Sequence, residues 1–189
     1  MTDFVFRGDA LALDFVNTEV MLRGKQRDLL ASAQDFDAWW RAAQAHHPEA
    51  VGTIEADEML LAEAKALRAA LRGLFTAAST RQRPAPEQVD TLNAVLRQGH
   101  YTLDVAADGA LTGSYGTEGT EGALLPLALA AFQLLTAGDL TRLHQCKNER
   151  CILLFYDRSK NGTRRWCSWD CMNRARSLKH YRAAKEDRE

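Results

Sequence analysis

Apolar positions recur along this chain at two spacings, and each predicts a kind of element. Leu60, Ala64, Leu67, Leu71 and Leu74 stand three or four apart, so they share one face of a long helix reaching about Ala78. Thr53 is the expected N-cap, with Glu55, Asp57 and Glu58 in the first turn favouring the helix dipole. Val89, Leu92 and Leu96 repeat the pattern in a shorter helix that opens at Pro86 and stops at Gly99. Phe36, Trp39 and Trp40 mark a helical region over residues 28–46, closed at His47-Pro48 because the residue before proline avoids helical geometry. Residues 122–138 carry no charge and predict a buried central helix. Pro126, Gln133 and Thr136 argue against a membrane span there.

Alternation predicts the strands. Residues 3–18 read as a strand bent at Gly8-Asp9, with Leu11, Leu13 and Phe15 on one face and Asp14 on the other. Residues 101–105 and 111–115 alternate on either side of Asp108-Gly109, a hairpin turn signal, and are expected to join the first strand in one small antiparallel sheet. Residues 21–27 read as a charged loop. Asp14 and Asn17 need polar partners in so apolar a stretch. They are expected to tie down the following loop; with Trp39 they are also the residues that would gather in an effector pocket.

The chemistry is concentrated at the other end. All four cysteines, Cys146, Cys151, Cys167 and Cys171, fall in the last third, spaced C-x4-C, fifteen residues, C-x3-C. Two close pairs separated by a hairpin-length insert suit a four-coordinate zinc ion. Two disulfides would use the same residues, but the amino-terminal residues do not read as a secretory signal, so a reducing cytoplasm is the expected home, and disulfides are disfavoured there. Residues 152–157 read as a strand, residues 159–162 as a turn and residues 163–167 as the returning strand. Ser168 or Asp170 then caps a helix to about Lys185, and Asp139 caps a short helix over residues 140–145. Four protein ligands leave the ion no open position, so a structural role is expected, and no nucleophile–base pair or phosphate-binding loop points to an enzyme.

Charge changes the picture again. The chain carries a net charge of −1, which by itself says nothing for nucleic acid. Residues 142–185 nevertheless hold twelve Lys and Arg against Glu149, Asp157 and Asp170, an excess of nine positive charges. Four thiolates and one zinc ion reduce that to about seven. A basic tail on an acidic body points to a polyanion partner, or to a face held against the body itself. Lys160, Arg164, Arg165, Arg176, Lys179 and Arg182 are the expected phosphate contacts. Arg174 falls on the inward stripe of the terminal helix beside Cys171, where it is expected to pair with Asp157 or to donate to knuckle carbonyls or thiolates; Asn173 is expected to hold loop backbone.

Residues 155–162 (FYDRSKNG), Arg164-Arg165-Trp166-Cys167 and Cys171-Met172-Asn173-Arg174 resemble the CGNR-type zinc finger, with Met172 in place of the glycine. Residues 11–18 (LALDFVNT) resemble the start of the ABATE domain that precedes this finger in mostly bacterial proteins described as stress-induced transcription regulators. The combined expectation is an α+β fold: a mostly helical body with a small antiparallel sheet over residues 1–138, then a treble-clef-like knuckle–hairpin–helix zinc finger over residues 139–189. One structural zinc, DNA as partner, a cytoplasmic location, no membrane, and a body that dimerises or senses a small molecule complete it. The alternative is a zinc-stabilised protein-interaction module.

Overall fold

The long stripe of leucines forms the helix its spacing predicts, and the rest of the body is laid around it. The computed structural model describes residues 4–105, 110–116 and 122–186, and Glu58–Thr80 is its longest helix, α3. Before it come α1 (Leu11–Val16), the strands β1 (Glu19–Leu22) and β2 (Lys25–Asp28), and α2 (Ala33–Gln44). After it come α4 (Pro86–Leu96), β3 (His100–Val105), β4 (Leu111–Gly116) and α5 (Leu125–Ala137). A 3-10 turn at Leu140–Arg142 leads to β5 (Leu143–Gln145), β6 (Leu154–Tyr156) and α6 (Trp169–Glu186). The described strands form three separate antiparallel pairs, β1–β2, β3–β4 and β5–β6. Among the described residues no helix is long and apolar enough to cross a membrane.

The first expected strand is a helix. All six residues of α1 are buried, between α3, α5 and β6. A segment enclosed on every side shows no helical periodicity, because no face is left for polar residues, and Leu-Ala-Leu-Asp-Phe-Val then imitates alternation. Six residues cannot sustain a helix alone, so tertiary burial holds this one. Among the described residues there is no N-terminal strand for β3 and β4 to join, and they pair with each other. Their predicted turn, Asp108-Gly109, lies outside the described residues.

Two helix starts lie later than their first signal. α2 opens at Ser32, whose hydroxyl accepts from the Asp35 N–H while the Asp35 carboxylate accepts from the Ser32 N–H. α3 opens at Asp57, whose carboxylate accepts from the Leu60 N–H, rather than at Thr53. The charged loop is a hairpin: β1 and β2 pair from Glu19↔Asp28 to Leu22↔Lys25, with Arg23 and Gly24 turning at φ 51° and 77°. Positive φ at both central residues suits a two-residue hairpin turn, and Arg-Gly is a weaker signal for it than Asn-Gly.

The base of that hairpin is fixed electrostatically. Arg68 on α3 is only 3% exposed and donates to both Asp28 carboxylate oxygens at 2.7 Å and to the Thr18 hydroxyl. Burial pushes the Asp28 carboxyl up, but the bond from Arg68, the Leu30 N–H and the charges of Arg68 and Lys65 outweigh it and hold it below the ordinary carboxylate value. A depressed folded-state pKa gives stability that is complete above the unfolded value of about 3.9 and lost as pH falls through the folded one. The urea midpoint of Asp28→Asn will therefore lie below that of the parent at pH 7, and the gap will narrow as the solution is acidified below pH ~4. A gap independent of pH would refute this account.

Candidate metal centre and nucleic-acid interface

The finger is built outward from the β5–β6 hairpin. Leu143 and Leu154 belong to the main core, so these strands grow directly from the body. Cys146 and Cys151 lie on the connection between the two strands, with the Cys146 N–H bonded to the Leu153 carbonyl. Asn148 shapes that connection. Its side-chain oxygen accepts from the Arg150 N–H, and its side-chain amide donates to the Cys171 carbonyl at 2.9 Å, linking the first cysteine pair to the second. A short polar residue between two cysteines was the signal for this turn.

The returning segment is not a strand. β6 pairs with β5, and residues 163–167 run back as irregular chain, held by the Lys147 N–H bonding to the Arg165 carbonyl. The expected turn at residues 159–162 is present, with Gly162 at φ 61°. The expected short helix over residues 140–145 is a single 3-10 turn followed by β5. Ser168 caps α6 through its hydroxyl, which accepts from the Cys171 N–H.

This route brings the four sulfurs together. All lie within 4.8 Å of one another, with 3.7 Å between Cys151 and Cys167 and 3.5 Å between Cys167 and Cys171. Tetrahedral coordination with Zn–S bonds of about 2.3 Å places sulfurs about 3.8 Å apart. All four cysteines are free of disulfides, and the Cys167 N–H points at the Cys146 sulfur at 3.5 Å. Four sulfurs this close cannot all ionise unaided. Hydrogen bonds from Cys151 and Cys167 push the Cys146 thiol down, while donation to Cys146 pushes Cys151 and Cys167 up. A divalent cation removes that conflict by holding all four as thiolates. The donor set fits one structural zinc ion: it is closed, sulfur-only and mostly buried.

Around the zinc site the structure redistributes the expected roles. Asp157 is fully buried, and its carboxylate accepts from the Ser159 and Arg164 N–H groups, each at 2.8 Å. Burial alone pushes its pKa up, but the Ser159 side chain and these backbone donors bring it below the ordinary carboxylate value. Arg174 is not its partner. Arg174 and Asn173 are exposed, and neither side chain has a partner among the described residues. Arg164, expected on the outside, supplies the interior cation. It lies 4.6 Å over the Phe155 ring, donates to the Trp166 and Cys167 carbonyls and pairs with Asp9 at 2.6 Å. Arg158 donates to the Asp9 carbonyl, so part of the basic tail is indeed turned onto the body.

The proposed effector residues are enclosed. Asp14 accepts from the Arg7 and Gly8 N–H groups and meets His47 Nε2 at 2.8 Å. Gly8 is needed there, since a Cβ would meet the Leu13 side chain at 2.7 Å and the Asp14 carboxylate at 2.9 Å. Trp39 is buried in an aromatic cluster with Phe6, Phe15, Phe36 and Trp40. Asn17 bonds the backbone of Leu154, its amide donating to the carbonyl at 2.8 Å and its oxygen accepting from the N–H at 3.0 Å. It therefore ties α1 to the finger strand β6, not to the loop that follows it. Arg72 adds a second bridge, donating to the Val16 carbonyl, the Glu19 carboxylate and the Ile152 carbonyl. Neither bridge is visible in sequence, because each joins residues about 80 or more positions apart.

What remains outside is cationic. Lys147, Arg150, Lys160, Arg165, Arg174 and Arg176 are exposed, and none forms an ion pair among the described residues. Arg165 stacks on Trp166 at 5.5 Å, and Trp166 packs against the zinc-site cluster. Trp169, the first residue of α6, is 71% exposed. Lys179 and Arg182 lie on the α6 backbone, but their side chains are outside the described residues.

Comparison with known proteins agrees with this geometry. Residues 9–138 match the ABATE family, whose description reads "Putative stress-induced transcription regulator". Residues 142–184, which hold the four sulfurs, match the CGNR zinc finger. No curated protein matches the chain. With more than half of its length matched and the zinc ligands in place, the chain belongs to the ABATE family and carries a CGNR zinc finger at its C-terminal end.

Proposed function

We propose that this protein is a transcription regulator that binds DNA directly through its zinc finger. The supporting observation is the set of exposed cations, without ion pairs among the described residues, on a part of the chain that the metal holds together. Asp157 is buried and Asp170 pairs with Arg7, so neither carboxylate stands free beside these cations. Lys147, Arg150, Lys160, Arg165 and Arg176 are the proposed backbone contacts, with Lys179 and Arg182 extending them along α6; Arg164 is withdrawn from the set because its guanidinium is used internally. Arg174 and Asn173, being exposed, are candidates for contact rather than for holding the fold. Trp169 is placed to stack on a base or sugar.

The proposed role is binding rather than catalysis, in a reducing cytoplasm that keeps the thiolates available for zinc. The body's share is dimerisation or the sensing of a small molecule. For the latter, the open concavity bordered by Val51, Thr53, Glu55, Met59 and Leu60 replaces the enclosed Asp14, Asn17 and Trp39. A monomeric mass by light scattering, together with DNA affinity unmoved by metabolite extracts, would remove both roles.

Zinc-loaded protein titrated into a labelled duplex should bind with an affinity that falls steeply with salt. Five to seven phosphate contacts give a log–log slope of about −5 to −6. Arg165→Glu with Arg176→Glu is expected to weaken binding at least tenfold and make the slope shallower, with zinc content unchanged. Binding that ignores salt and both substitutions would defeat the proposal. Capture of a protein partner that survives nuclease treatment would favour the interaction-module reading instead.

A further inference from the structure

The region read from sequence as a charged loop has an unexpected neighbour. Val20 on β1 is buried in the zinc-site cluster with Cys146, Leu153, Phe155, Cys167 and Cys171, and the half-buried Trp166 packs there too. The β1–β2 hairpin therefore rests on the finger, although it precedes it by more than a hundred residues. Side chains of directly paired residues share one face of a hairpin. Val20 pairs with Arg27, and Leu22 pairs with Lys25, so Arg27 and Lys25 lie on the face that Val20 turns to the finger. Both are exposed, beyond the buried contact.

The hairpin's charges are sorted by position. Its two acids, Glu19 and Asp28, form the pair at the base, where Arg72 and Arg68 bind them. Its three bases, Arg23, Lys25 and Arg27, occupy the outer part and form no ion pair among the described residues. With Leu22 they line a shallow concavity of their own. A base clamped to α3, a tight Arg-Gly turn and three outward cations make a short rigid projection beside a metal-ordered cationic surface.

We propose that the β1–β2 hairpin is a second DNA-contacting element, a wing that engages the phosphodiester backbone through Arg23, Lys25 and Arg27 beside the zinc finger. This rests on the reading of the finger as a DNA-binding surface. The occupant is duplex DNA because the three cations, which form no ion pair among the described residues, sit on a hairpin packed through Val20 against the finger that carries the proposed contacts, and a phosphate backbone is the repeating anion that cations on adjoining elements fit. The body then contributes directly to affinity, and the finger alone is an incomplete binding surface.

The test uses the full, zinc-loaded chain and a labelled random-sequence duplex of about two helical turns, over a salt series. The combined substitution Arg23→Gln, Lys25→Gln, Arg27→Gln is expected to lower affinity by on the order of tenfold or more at low salt. It should make the log–log salt slope shallower by two to three, at about 0.9 per phosphate contact. Zinc content and the thermal transition should not change, because all three side chains are exposed. The charge-preserving pair Arg23→Lys, Arg27→Lys should keep the parent slope, which a merely structural role for these arginines would not require. If the glutamine variant binds with parent affinity and slope while Arg165→Glu with Arg176→Glu does not, the wing is overturned and the finger reading stands. If the parent protein binds no duplex, both fall together.

Discussion

Chelation of the zinc ion will melt the finger and lower the thermal transition of the whole chain. Among the described residues the apolar cluster around the metal has six buried members, and three of them are the ligands Cys146, Cys167 and Cys171. So small a cluster cannot hold residues 142–186 together without the ion. Structural zinc in small modules contributes roughly 10–16 kcal/mol at neutral pH, comparable with the entire stability of an ordinary domain, roughly 5–15 kcal/mol. The damage will not stay local. Leu143 and Leu154 belong to the main core, the Tyr156 N–H bonds the Gly8 carbonyl, and Arg72 reaches Ile152. Far-UV circular dichroism should lose the α6 signal on chelation, and the body should melt earlier. Cys151→Ser, which removes the most exposed ligand, should reproduce much of this at neutral pH. Acid should do the same, because protons compete with the metal for the thiolates. Chelated protein with an unchanged transition would sink the claim that zinc organises this region.

Asn17→Ala should be the most damaging single change in the body outside the aromatic cluster. It strands both backbone groups of Leu154 where no water reaches. Each buried group left without a partner costs about 1–3 kcal/mol, so the total for the two is about 2–6 kcal/mol. For a chain of this size, at about 2–4 °C per kcal/mol, that lowers the melting temperature by roughly 4–24 °C. The substitution also cuts the direct tie between α1 and β6, so zinc should leave the variant faster and DNA affinity should fall with the finger's order. An Asn17→Ala protein that melts with the parent and keeps its zinc equally long would show that the two parts are coupled elsewhere.

Much of this was legible in the chain because it is local. The leucine stripe of α3 holds one periodicity over many residues and the run of α5 is uncharged throughout; both helices are present, although α5 buries only Leu125, Leu127, Ala128 and Ala131 and leaves Phe132 exposed, so it is not the wholly buried helix expected. The zinc ligands were readable because metal chemistry restricts both residue type and spacing. Failures came where both faces of an element are enclosed, as in α1, or where a turn uses an uncommon pair, as at Arg23-Gly24. For Asp14 and Asn17 the sequence left the partner open for a related reason. A polar side chain in an apolar run signals a buried partner but does not say which, and for Asn17 the partner is 137 residues away.

The sequence by itself determined the helical body, the tetrathiolate and the charge imbalance between the two parts, since each depends on neighbours in the chain or on the chemistry of single residue types. Only the tertiary structure decided which cations face outward. Arg164 is drawn inside by Phe155 and Asp9, while Arg174 is left in solvent, although both come from the same basic run. It alone also set the hairpin of Arg23, Lys25 and Arg27 beside the metal, through one buried valine. Contacts between distant residues depend on how whole elements fill space together, and that is a property of the packed chain rather than of any stretch of it.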